Sequence, residues 1–478
     1  MLCKKYMNPV FTACYDGNVA AGLQPYVPEI WAQESVAILI ENMGVTNLVH
    51  RDFQNEVAKF GDLVHTRQPG QFKVKRRSDS TVAANMPQAA TATDIQVPLN
   101  QWFNETFIIP EGAMSLSFKE LVATFLQPAV LSIARGVDRA VLGRAAVAFM
   151  GSDPSKRAGR LGNLTRESAY DAVVDCDQIL NTNKAPAENR SLLLAPNSKA
   201  AMLKVDTFVQ AMKRGDGGST LETAILGQVL GFDTYMFQNV NSVLAGCDYV
   251  QFNLDATGEA AGYAGVIAAA AIGTTATVGE YCVIAGNDQP TYLTNKANST
   301  SLTLNEPLKY DVQASAMVTR YAKCQANATY AAGYAEDIVV KSFSAGKPPA
   351  VGQLVAFDAD GSHRHTYTVI ESTLAIGGAT CAILLDRPLE ITVSANDSVF
   401  PGPMGTINVA MHKNALALVT RPLATTHAAG IEFGVQEDYG IGMRVAMQHL
   451  INQGLVVSVD LLAGVAVLNA NLGVPLLG

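Results

Sequence analysis

The stretch that decides the fold is FKELVATFLQPAVLSIARGVDRAVLGRAAVAFM, residues 118–150. Ser117 and Glu120 form an S-x-x-E capping box at its head, which is typical of a helix start. Pro128 removes one backbone hydrogen bond and predicts a kink. About thirty residues span ~45 Å as a helix, so the sequence predicts a long spine. Apolar residues at helical spacing predict one buried stripe along it: Leu121, Phe125, Ile133, Val137, Ala140, Val141 and Ala148.

Upstream, the sequence predicts a short helix and a two-stranded arm. Residues 27–43, VPEIWAQESVAILIENM, start at a proline and continue with apolar residues, which favours a helix. Residues 60–72, FGDLVHTRQPGQF, predict a strand that ends at a Pro-Gly turn. β-Branched and aromatic residues dominate 95–110, IQVPLNQWFNETFIIP. We expect this segment to form one strand that runs back along the first.

The connection between these strands contains a dense basic cluster, in a chain whose net charge is −8. A nucleic-acid groove, a solvated loop tip and a contact with an acidic neighbouring subunit are the open interpretations. The overall acidity disfavours DNA binding. We therefore predict an inter-subunit contact in which opposite charges fix the register between identical copies. Its residues are Lys73, Lys75, Arg76 and Arg77.

Composition favours an obligate assembly. The 478 residues are 49% hydrophobic and only 16% charged, where soluble proteins usually carry about 25% charged residues. A chain of this length predicts two to four lobes, and subunit contacts would cover their uncharged surface. The longest uncharged stretch, 260–279, is mostly Ala, Gly and Thr, which disfavours a membrane span. No sustained apolar segment follows the N-terminal lysines, so no signal peptide is expected.

Residues 166–245 predict an α+β lobe. Its expected elements are an amphipathic helix at 167–180, a buried strand at 190–196, one helix at 197–212 and a turn into a strand at 226–240.

Residues 250–400 are rich in Ala, Gly, Thr and Val and predict an inserted β-barrel or β-sandwich. The segment LEITVSAND, 389–397, is expected to be one of its strands. Residues 407–423, 439–450 and 456–477 then predict long antiparallel closing strands, with Ile441, Met443, Val445 and Met447 alternating on one face.

Four stretches in this order resemble the major capsid proteins of tailed bacteriophages, whose shell fold was first described for a Hong Kong phage and is shared with encapsulins. PEIWAQESVAILIENM followed by FGDLVH is similar to the arm and the start of the extended loop. FLQPAVLSIARGVDRAVL is similar to the spine helix of coat proteins with an inserted domain. LGQVLGFDTYMFQNV resembles the axial-domain turn, and HKNALALVTRPL with VSVDLLAGVAVLNANLGV resembles the peripheral-domain close. The resemblance covers residues 27–245 and 405–477.

The resemblance implies an α+β phage major capsid fold with an inserted all-β domain, as in short-tailed phages. The implied boundaries are an N-terminal arm and short helix at 1–59, an extended β-hairpin loop at 60–114, and a spine helix in the peripheral domain at 115–165. An axial domain at 166–249, an inserted β-rich domain at 250–404 and closing strands at 405–478 follow.

The resemblance also implies a function, which is self-assembly into the icosahedral head that encloses a double-stranded DNA genome without sequence-specific binding. The implied partners are other copies in hexamers and pentamers, a portal protein and a decoration protein. Because 1–27 shows no heptad-like extension that could guide assembly, a separate scaffolding protein is also expected. The expected location is the virion, assembled in the host cytoplasm and not in a membrane. An encapsulin-like compartment and a β-rich adhesin or carbohydrate-binding protein remain alternatives.

No sequence motif indicates an enzyme, and we expect no catalytic, cofactor or metal site. Nucleotide-binding, acyl-transfer and zinc-protease motifs are missing. His363 and His365 could share a strand face and bind a metal, but an exposed hairpin tip is the favoured interpretation. RGD at 214–216 lies in a glycine-rich turn and is attributed to chance. Seven scattered cysteines without a C-x-x-C pair predict buried, reduced thiols. Some capsid proteins cross-link through a Lys–Asn bond, and Lys73 and Lys75 lie in the corresponding loop, but no partner Asn or Glu is identified.

Overall fold

The computed structural model describes most of the chain from residue 28 onward. The described residues are 28–51, 63–69, 74, 92–110, 112, 118–151, 153–162, 164–209, 224–243, 247–255, 257–269, 277–298, 301–344, 346–357, 365–423, 431–438, 440–450 and 454–478. Among them, no helix combines the length and the hydropathy that a transmembrane span requires.

The helices are α1 Pro28–Asn42, α2 Phe118–Leu121, α3 Gln127–Met150, α4 Ser168–Thr182, α5 Pro196–Met202 and α6 Asp206–Val209. The first thirteen strands are β1 Leu63–Pro69, β2 Ala92–Pro98, β3 Gln101–Ile109, β4 Ala158–Gly159, β5 Arg190–Leu194, β6 Gln228–Val229, β7 Phe232–Met236, β8 Ser242–Val243, β9 Tyr249–Asn253, β10 Val266–Ala268, β11 Tyr281–Ile284, β12 Thr291–Asn298 and β13 Ser301–Leu304. The others are β14 Met317–Tyr321, β15 Cys324–Ala326, β16 Ile338–Lys341, β17 Leu354–Phe357, β18 His365–Leu374, β19 Thr380–Leu385, β20 Ser398–Pro401, β21 Gly405–His412, β22 Leu416–Arg421, β23 Glu432–Asp438, β24 Ile441–Leu450, β25 Gly454–Val467 and β26 Gly473–Leu477.

The chain divides into two compact units. Unit one comprises Met1–Asn42, Asn104–Ile133 and Arg421–Leu461. Its described part contains the antiparallel strands β23, β24 and β25, and α1 packs on β23 and β24. Gly434 permits this close approach, because a Cβ there would lie 2.2 Å from the carbonyl oxygen of Pro28. The predicted alternation along β24 is confirmed, since its inward residues are at most 3% exposed: Ile441, Met443, Val445 and Met447.

The predicted long helix is present, but a π-helical segment interrupts it. Val122–Leu126 is π-helical between α2 and α3, and the Gln127 amide binds the carbonyl of Val122. Pro128 explains this change, since it has no N–H and its ring would clash with the carbonyl four residues earlier. The wider π turn accommodates that proline, and the kink expected at Pro128 stays a prediction. Ser117 lies outside the described residues, and the capping box stays a prediction.

Unit two comprises Met43–Phe103, Ala134–Thr420 and Leu462–Gly478. One mixed sheet in it has the strand order β4-β26-β21-β5-β7-β6, with β8 paired to β21. Helix α4 packs on β4 and β26. The predicted buried strand is confirmed as β5, whose five residues are all buried. The core of this lobe includes Val173, Cys176, Leu180, Leu192, Leu194, Phe232 and Leu476.

The all-β character predicted for 250–400 is confirmed, although these residues form two sheets. One is an open sheet in the order β10-β13-β12-β11-β14-β9, and the other is a closed barrel in the order β15-β16-β19-β18-β17-β20. Each has its own core: Cys282, Ile284, Leu293 and Val318 in the open sheet, and Val340, Phe357, Tyr367 and Ile383 in the barrel. The predicted α+β class with an all-β region is therefore confirmed.

The barrel lies against the long helix at Gly143. A Cβ on Gly143 would lie 2.9 Å from the Cβ of Thr368 and 3.1 Å from that of Asp386, so the absence of a side chain allows this approach. Thr368 Oγ1 donates to the Gly143 carbonyl at 3.2 Å. Arg139 Nη1 donates to the carbonyl of Ile370 at 3.0 Å. These bonds hold β18 on α3.

Three local predictions are wrong. Residues 95–110 are not one strand: β2 pairs with β1 and β3 with β25, and Pro98, which cannot donate to a ladder, ends the first. LEITVSAND is not a strand, because within it only Val393 forms a bridge, with Tyr330. Its end instead turns, with Asn396 at a φ of 71°. The helix expected at 197–212 is two short helices, α5 and α6, and residues 210–212 lie outside the described residues.

The inserted domain expected at 250–404 stays a prediction, and it can be tested directly. Since both sheets have their own cores, a fragment spanning 250–404 is expected to fold alone. It should give a β-type circular dichroism spectrum and well-dispersed amide signals. A featureless spectrum would show that this region depends on the rest of the chain.

Candidate functional site

The ribbon formed by β1 and β2 is the first candidate contact surface. The two strands pair from Leu63↔Pro98 to Pro69↔Ala92 and with no other strand among the described residues. None of the β1 side chains from 63 to 67 is buried, and Leu63 is 47% exposed. An isolated two-stranded ribbon is marginally stable at best in water. In β2 only Val97 is buried, so the ribbon packs on the described part of the chain near that residue, while its exposed end gains no such support.

The predicted contact residues Lys73, Lys75, Arg76 and Arg77 lie outside the described residues. Pro69 pairs with Ala92, so the chain segment that carries the cluster leaves and re-enters the ribbon at the same end. Val74, which is described, is 98% exposed. The contact role of the four cations stays a prediction, while the strands on either side of them, β1 and β2, are defined.

Unit one exposes carboxylates along α1 and the edge strand β23, and we call this surface the acidic face. The exposed carboxylates of α1 are Glu29, Glu34 and Glu41, and those of β23 are Glu432, Glu437 and Asp438. Arg444 on the neighbouring strand pairs with the buried Asp460, with its Nη2 2.6 Å from the carboxylate. The face therefore has the charge that the predicted basic cluster requires of a partner.

The hairpin of β6 and β7 forms an apolar edge in unit two. The exposed fractions are 63% for Ile225, 42% for Leu230, 40% for Tyr235 and 42% for Met236. Leu230 also has a φ of 48°, a conformation that costs a residue with a Cβ about 1–3 kcal/mol. Exposed apolar groups at a sheet edge are typical of contact surfaces. We interpret this hairpin as a second candidate contact surface.

A charged cluster lies where the barrel meets the long helix. Asp386 is 1% exposed and accepts the Thr368 amide at 2.8 Å and Arg387 Nη1 at 3.0 Å. Arg387 Nε donates to Glu390 at 2.8 Å, and His365 Nδ1 lies 3.0 Å from the same carboxylate. Burial raises the pKa of Asp386 despite Arg387. Burial also acts to raise the pKa of Glu390, but the hydrogen bond and charge of Arg387 outweigh it and lower that pKa.

A second buried network ties the end of the long helix to the open sheet. Arg157 and Glu306 are 1% and 4% exposed, with Arg157 Nη1 at 2.7 Å from Glu306 Oε2. Arg157 Nε donates to the Met150 carbonyl at 2.7 Å and its Nη2 to the Gly151 carbonyl at 2.8 Å. Lys309 donates to the carbonyl of Arg157. The guanidinium thus satisfies carbonyl groups that the helix end leaves without intrahelical partners.

A cleft of about 270 Å³ between these networks is lined by Arg157, Glu306, His365, Arg387 and Glu390, among others. Each nitrogen of the Arg157 and Arg387 guanidinium groups is already engaged by a carboxylate or a carbonyl. Such paired groups hold the surrounding elements together. We interpret the cleft as part of the packing between the barrel, the open sheet and the helix.

The next candidates from the sequence are the two histidines and the RGD tripeptide. His365 pairs with Glu390. His363 and the RGD tripeptide lie outside the described residues. No three His, Cys, Asp or Glu side chains within the described ranges are placed to hold a metal ion.

Five cysteines are described, and all are free and buried, as predicted: Cys176, Cys247, Cys282, Cys324 and Cys381. Burial raises the pKa of Cys247 to about 11, which keeps this thiol protonated.

Together these features define an α+β chain with candidate contact surfaces. No family model and no curated protein matches the chain. Two solved phage structures are similar to it over most of its length. One, from Mycobacterium phage Che8, covers 91% of this chain and 90% of its own, with 10% identity and a TM-score of 0.40. The other, the capsid structure of the cyanophage P-SCSP1u, covers 88% of this chain and 84% of its own, with 11% identity and a TM-score of 0.42.

Proposed function

We propose that the chain is the major capsid protein of a tailed double-stranded DNA bacteriophage and assembles into its icosahedral head. The observation that carries the proposal is the ribbon of β1 and β2, which has no core of its own and pairs with no other described strand. A ribbon of this kind is stabilised when it lies on another copy. The sequence resemblance to capsid proteins, in which an extended loop precedes a spine helix, supports the same function.

Charge complementarity indicates where the ribbon binds. Its connection carries Lys73, Lys75, Arg76 and Arg77, and α1 with β23 presents six exposed carboxylates. In a shell of identical subunits, the basic segment of one copy meets the acidic face of the next. Opposite charges then select one register and disfavour wrong ones.

In this proposal the copies form hexamers and pentamers that enclose the genome without reading its sequence. A separate scaffolding protein sets the curvature, a portal protein occupies one vertex, and a decoration protein binds outside. The head forms in the host cytoplasm and persists in the virion. The apolar β6–β7 hairpin supplies a further contact between copies.

Electron microscopy of purified protein tests the proposal. Expressed with the scaffolding protein, the chain should form uniform, DNA-sized shells. Expressed alone, it should give free subunits, spirals or shells of wrong size. Small shells filled with an enzyme would instead indicate an encapsulin-like compartment, and a lack of any closed particle under both conditions would contradict the proposal.

Reversing the charge of Lys75, Arg76 and Arg77 to glutamate should leave the subunit folded but reduce the yield of shells. The expected reason is repulsion between the altered tip and the acidic face. Raising salt from about 0.05 to 0.5 M should reduce the difference from the natural chain, because exposed charges are screened. Shell yield is measured by sedimentation.

Two companion variants make this test specific. Reversing Lys156, Lys184 and Lys204, three exposed lysines elsewhere, changes net charge equally and should leave the yield unchanged. Changing Glu432, Glu437 and Asp438 to lysine in the tip variant should restore assembly. A normal yield from the tip variant would contradict the charge contact.

A further inference from the structure

The open sheet and the barrel at 249–401 have the same topology. Each is built from six consecutive strands, β9 to β14 in the first set and β15 to β20 in the second. Counted from one to six within each set, the strands lie in the order 2-5-4-3-6-1 in both. The barrel closes between its first two strands, at Ala326↔Val340. A bridge at Leu254↔Ala269 joins the ends of the matching strands of the open sheet, so both sets close at the same place.

Short sequence repeats fall at matching places in the two sets. AAGYA stands at 260–264, between β9 and β10, and again at 331–335, between β15 and β16. PLKYDV at 307–312, between β13 and β14, matches PLEITV at 388–393, between β19 and β20. Each repeat therefore connects the same two strands of its set.

Matching residues of the two sets form matching backbone hydrogen bonds. The Gly262 amide donates to the Leu308 carbonyl at 2.7 Å, and the Gly333 amide donates to the Leu389 carbonyl at 2.7 Å. Both glycines are left-handed, with φ of 86° and 88°, which glycine adopts without strain. Further matching bonds join Glu259 with Val312 and Tyr330 with Val393, Leu308 with Tyr263 and Leu389 with Tyr334, and Ser315 with Asp255 and Asn396 with Ala326. These bonds distinguish a duplication from two unrelated sheets of like topology.

A side-chain contact is matched as well. Asp311 Oδ1 accepts the amide of Ala261 at 2.8 Å. Thr392 Oγ1, at the matching position, accepts the amide of Ala332 at 3.3 Å. Different residue types thus supply the same acceptor to the same loop of each set.

One matched turn of each set lies beside the long helix α3. It begins at Asn305 in the first set and at Asp386 in the second. Asn305 Oδ1 accepts the Tyr292 amide at 2.8 Å, and Asp386 Oδ1 accepts the Thr368 amide at 2.8 Å. Residues of both turns line the cleft of about 270 Å³ beside Met150, the last residue of α3. The two sets therefore approach the end of the helix through the same turn.

The matched turns carry opposite charges. Their second residue is Glu306 in the first set and Arg387 in the second, and their fifth residue is Lys309 and Glu390. Glu306 Oε2 lies 2.7 Å from Arg157 Nη1, and Lys309 donates to the Arg157 carbonyl. Arg387 Nε instead donates to Glu390 at 2.8 Å. An arginine in place of Glu306 would meet Arg157 as a like charge, so these charges distinguish the two places beside the helix.

We infer that residues 249–401 are one barrel present twice in tandem, and that the opposite charges of the matched turns decide which copy lies at Arg157. Each copy has its own core, and Ala322 and Lys323 join the two. A separate core lets each copy open and close as its own unit. This duplication is independent of the proposed assembly, because every contact that supports it lies within one chain.

Matched core substitutions in the full chain test the duplication. Leu308 and Leu389 occupy matching positions in the two cores and are each 2% exposed. Leu308→Ala should increase hydrogen exchange, read by mass spectrometry, by about thirtyfold or more in 249–321 and leave 324–401 unchanged. Leu389→Ala should do the reverse. No increase in the region that carries the substitution, or an equal increase in both regions, would overturn the duplication into separate units.

Exchanging residues between matching positions tests the equivalence of the copies. Asp311→Thr, which introduces the residue of the second copy, should keep an acceptor for the Ala261 amide and leave exchange of 257–269 within about twofold of the natural chain. Asp311→Ala removes the acceptor and should raise exchange there by about fivefold. The same increase in both variants would contradict the equivalence.

Glu306→Arg tests the charge assignment. It should raise exchange of 301–321 by about a hundredfold or more, because the new cation is buried beside Arg157. Glu306→Gln, which removes only the charge, keeps the test informative if the first variant does not fold, and should raise exchange there by about tenfold or more. Glu336→Gln, at an exposed position, is the control and should change nothing. Unchanged exchange of 301–321 in a folded Glu306 variant would overturn the assignment.

Discussion

Arg157→Met is expected to lower the free energy of unfolding by about 3–5 kcal/mol, because removing one partner of a buried ion pair leaves the other charge unpaired. Here the orphaned group is Glu306, which is 4% exposed. The carbonyls of Met150 and Gly151 also lose their donor. The change should appear in urea denaturation as a lower midpoint for the transition of unit two.

The exposed pair Arg166–Asp206 provides the matched control. Its atoms are as close, at 2.6 Å, but its side chains are 59% and 48% exposed, so Arg166→Met should cost at most about 1 kcal/mol. The double variant Arg157→Met with Glu306→Leu should recover part of the loss, since no unpaired charge is left. Equal costs for Arg157→Met and Arg166→Met would show that the network contributes little.

The sequence could not reveal this network. Arg157 and Glu306 are 149 residues apart, and neither lies in a pattern that indicates burial. Arg320 and Glu280, whose side chains are 3% and 2% exposed, form a similar pair. Periodicity identifies the face of an element that is buried, as it did for β24, but it does not say which charge meets which. The only sequence signal was a charged residue within an apolar run, such as Glu280 in VGEYCVI.

Prediction of the candidate contact surfaces from the sequence is limited for the same reason: residues that are distant in sequence meet only after folding. The basic cluster could be located from the sequence, because its residues are contiguous. The acidic face could not, because α1 and β23 are separated by about 390 positions and meet only after folding. Likewise, the stretch 95–110 has uniform strand character, and only the pairing of its two halves with different partners shows that Pro98 divides it.

Gly143→Ala is expected to destabilise the contact between barrel and helix by about 1–3 kcal/mol. In a helix interior this substitution normally stabilises by about 1 kcal/mol. A loss of stability would therefore show that the packing at Gly143 outweighs helix propensity. The added Cβ would lie 2.9 Å from the Cβ of Thr368, an atom next to the backbone of β18 that cannot rotate away. The backbone of β18 must therefore move, which weakens the bond from Thr368 Oγ1 to the Gly143 carbonyl. Hydrogen exchange of β18 measures the change.

Gly136→Ala on the same helix separates packing from helix propensity. Its Cβ would lie 3.2 Å from an edge atom of the Phe103 ring, which can shift by a rotation of its side chain. This substitution should therefore be neutral or stabilising, while Gly143→Ala increases exchange in β18. If both changes stabilise the chain equally, the barrel is not held by close packing at Gly143. If only Gly143→Ala loosens β18, close packing at this position holds the barrel on the long helix.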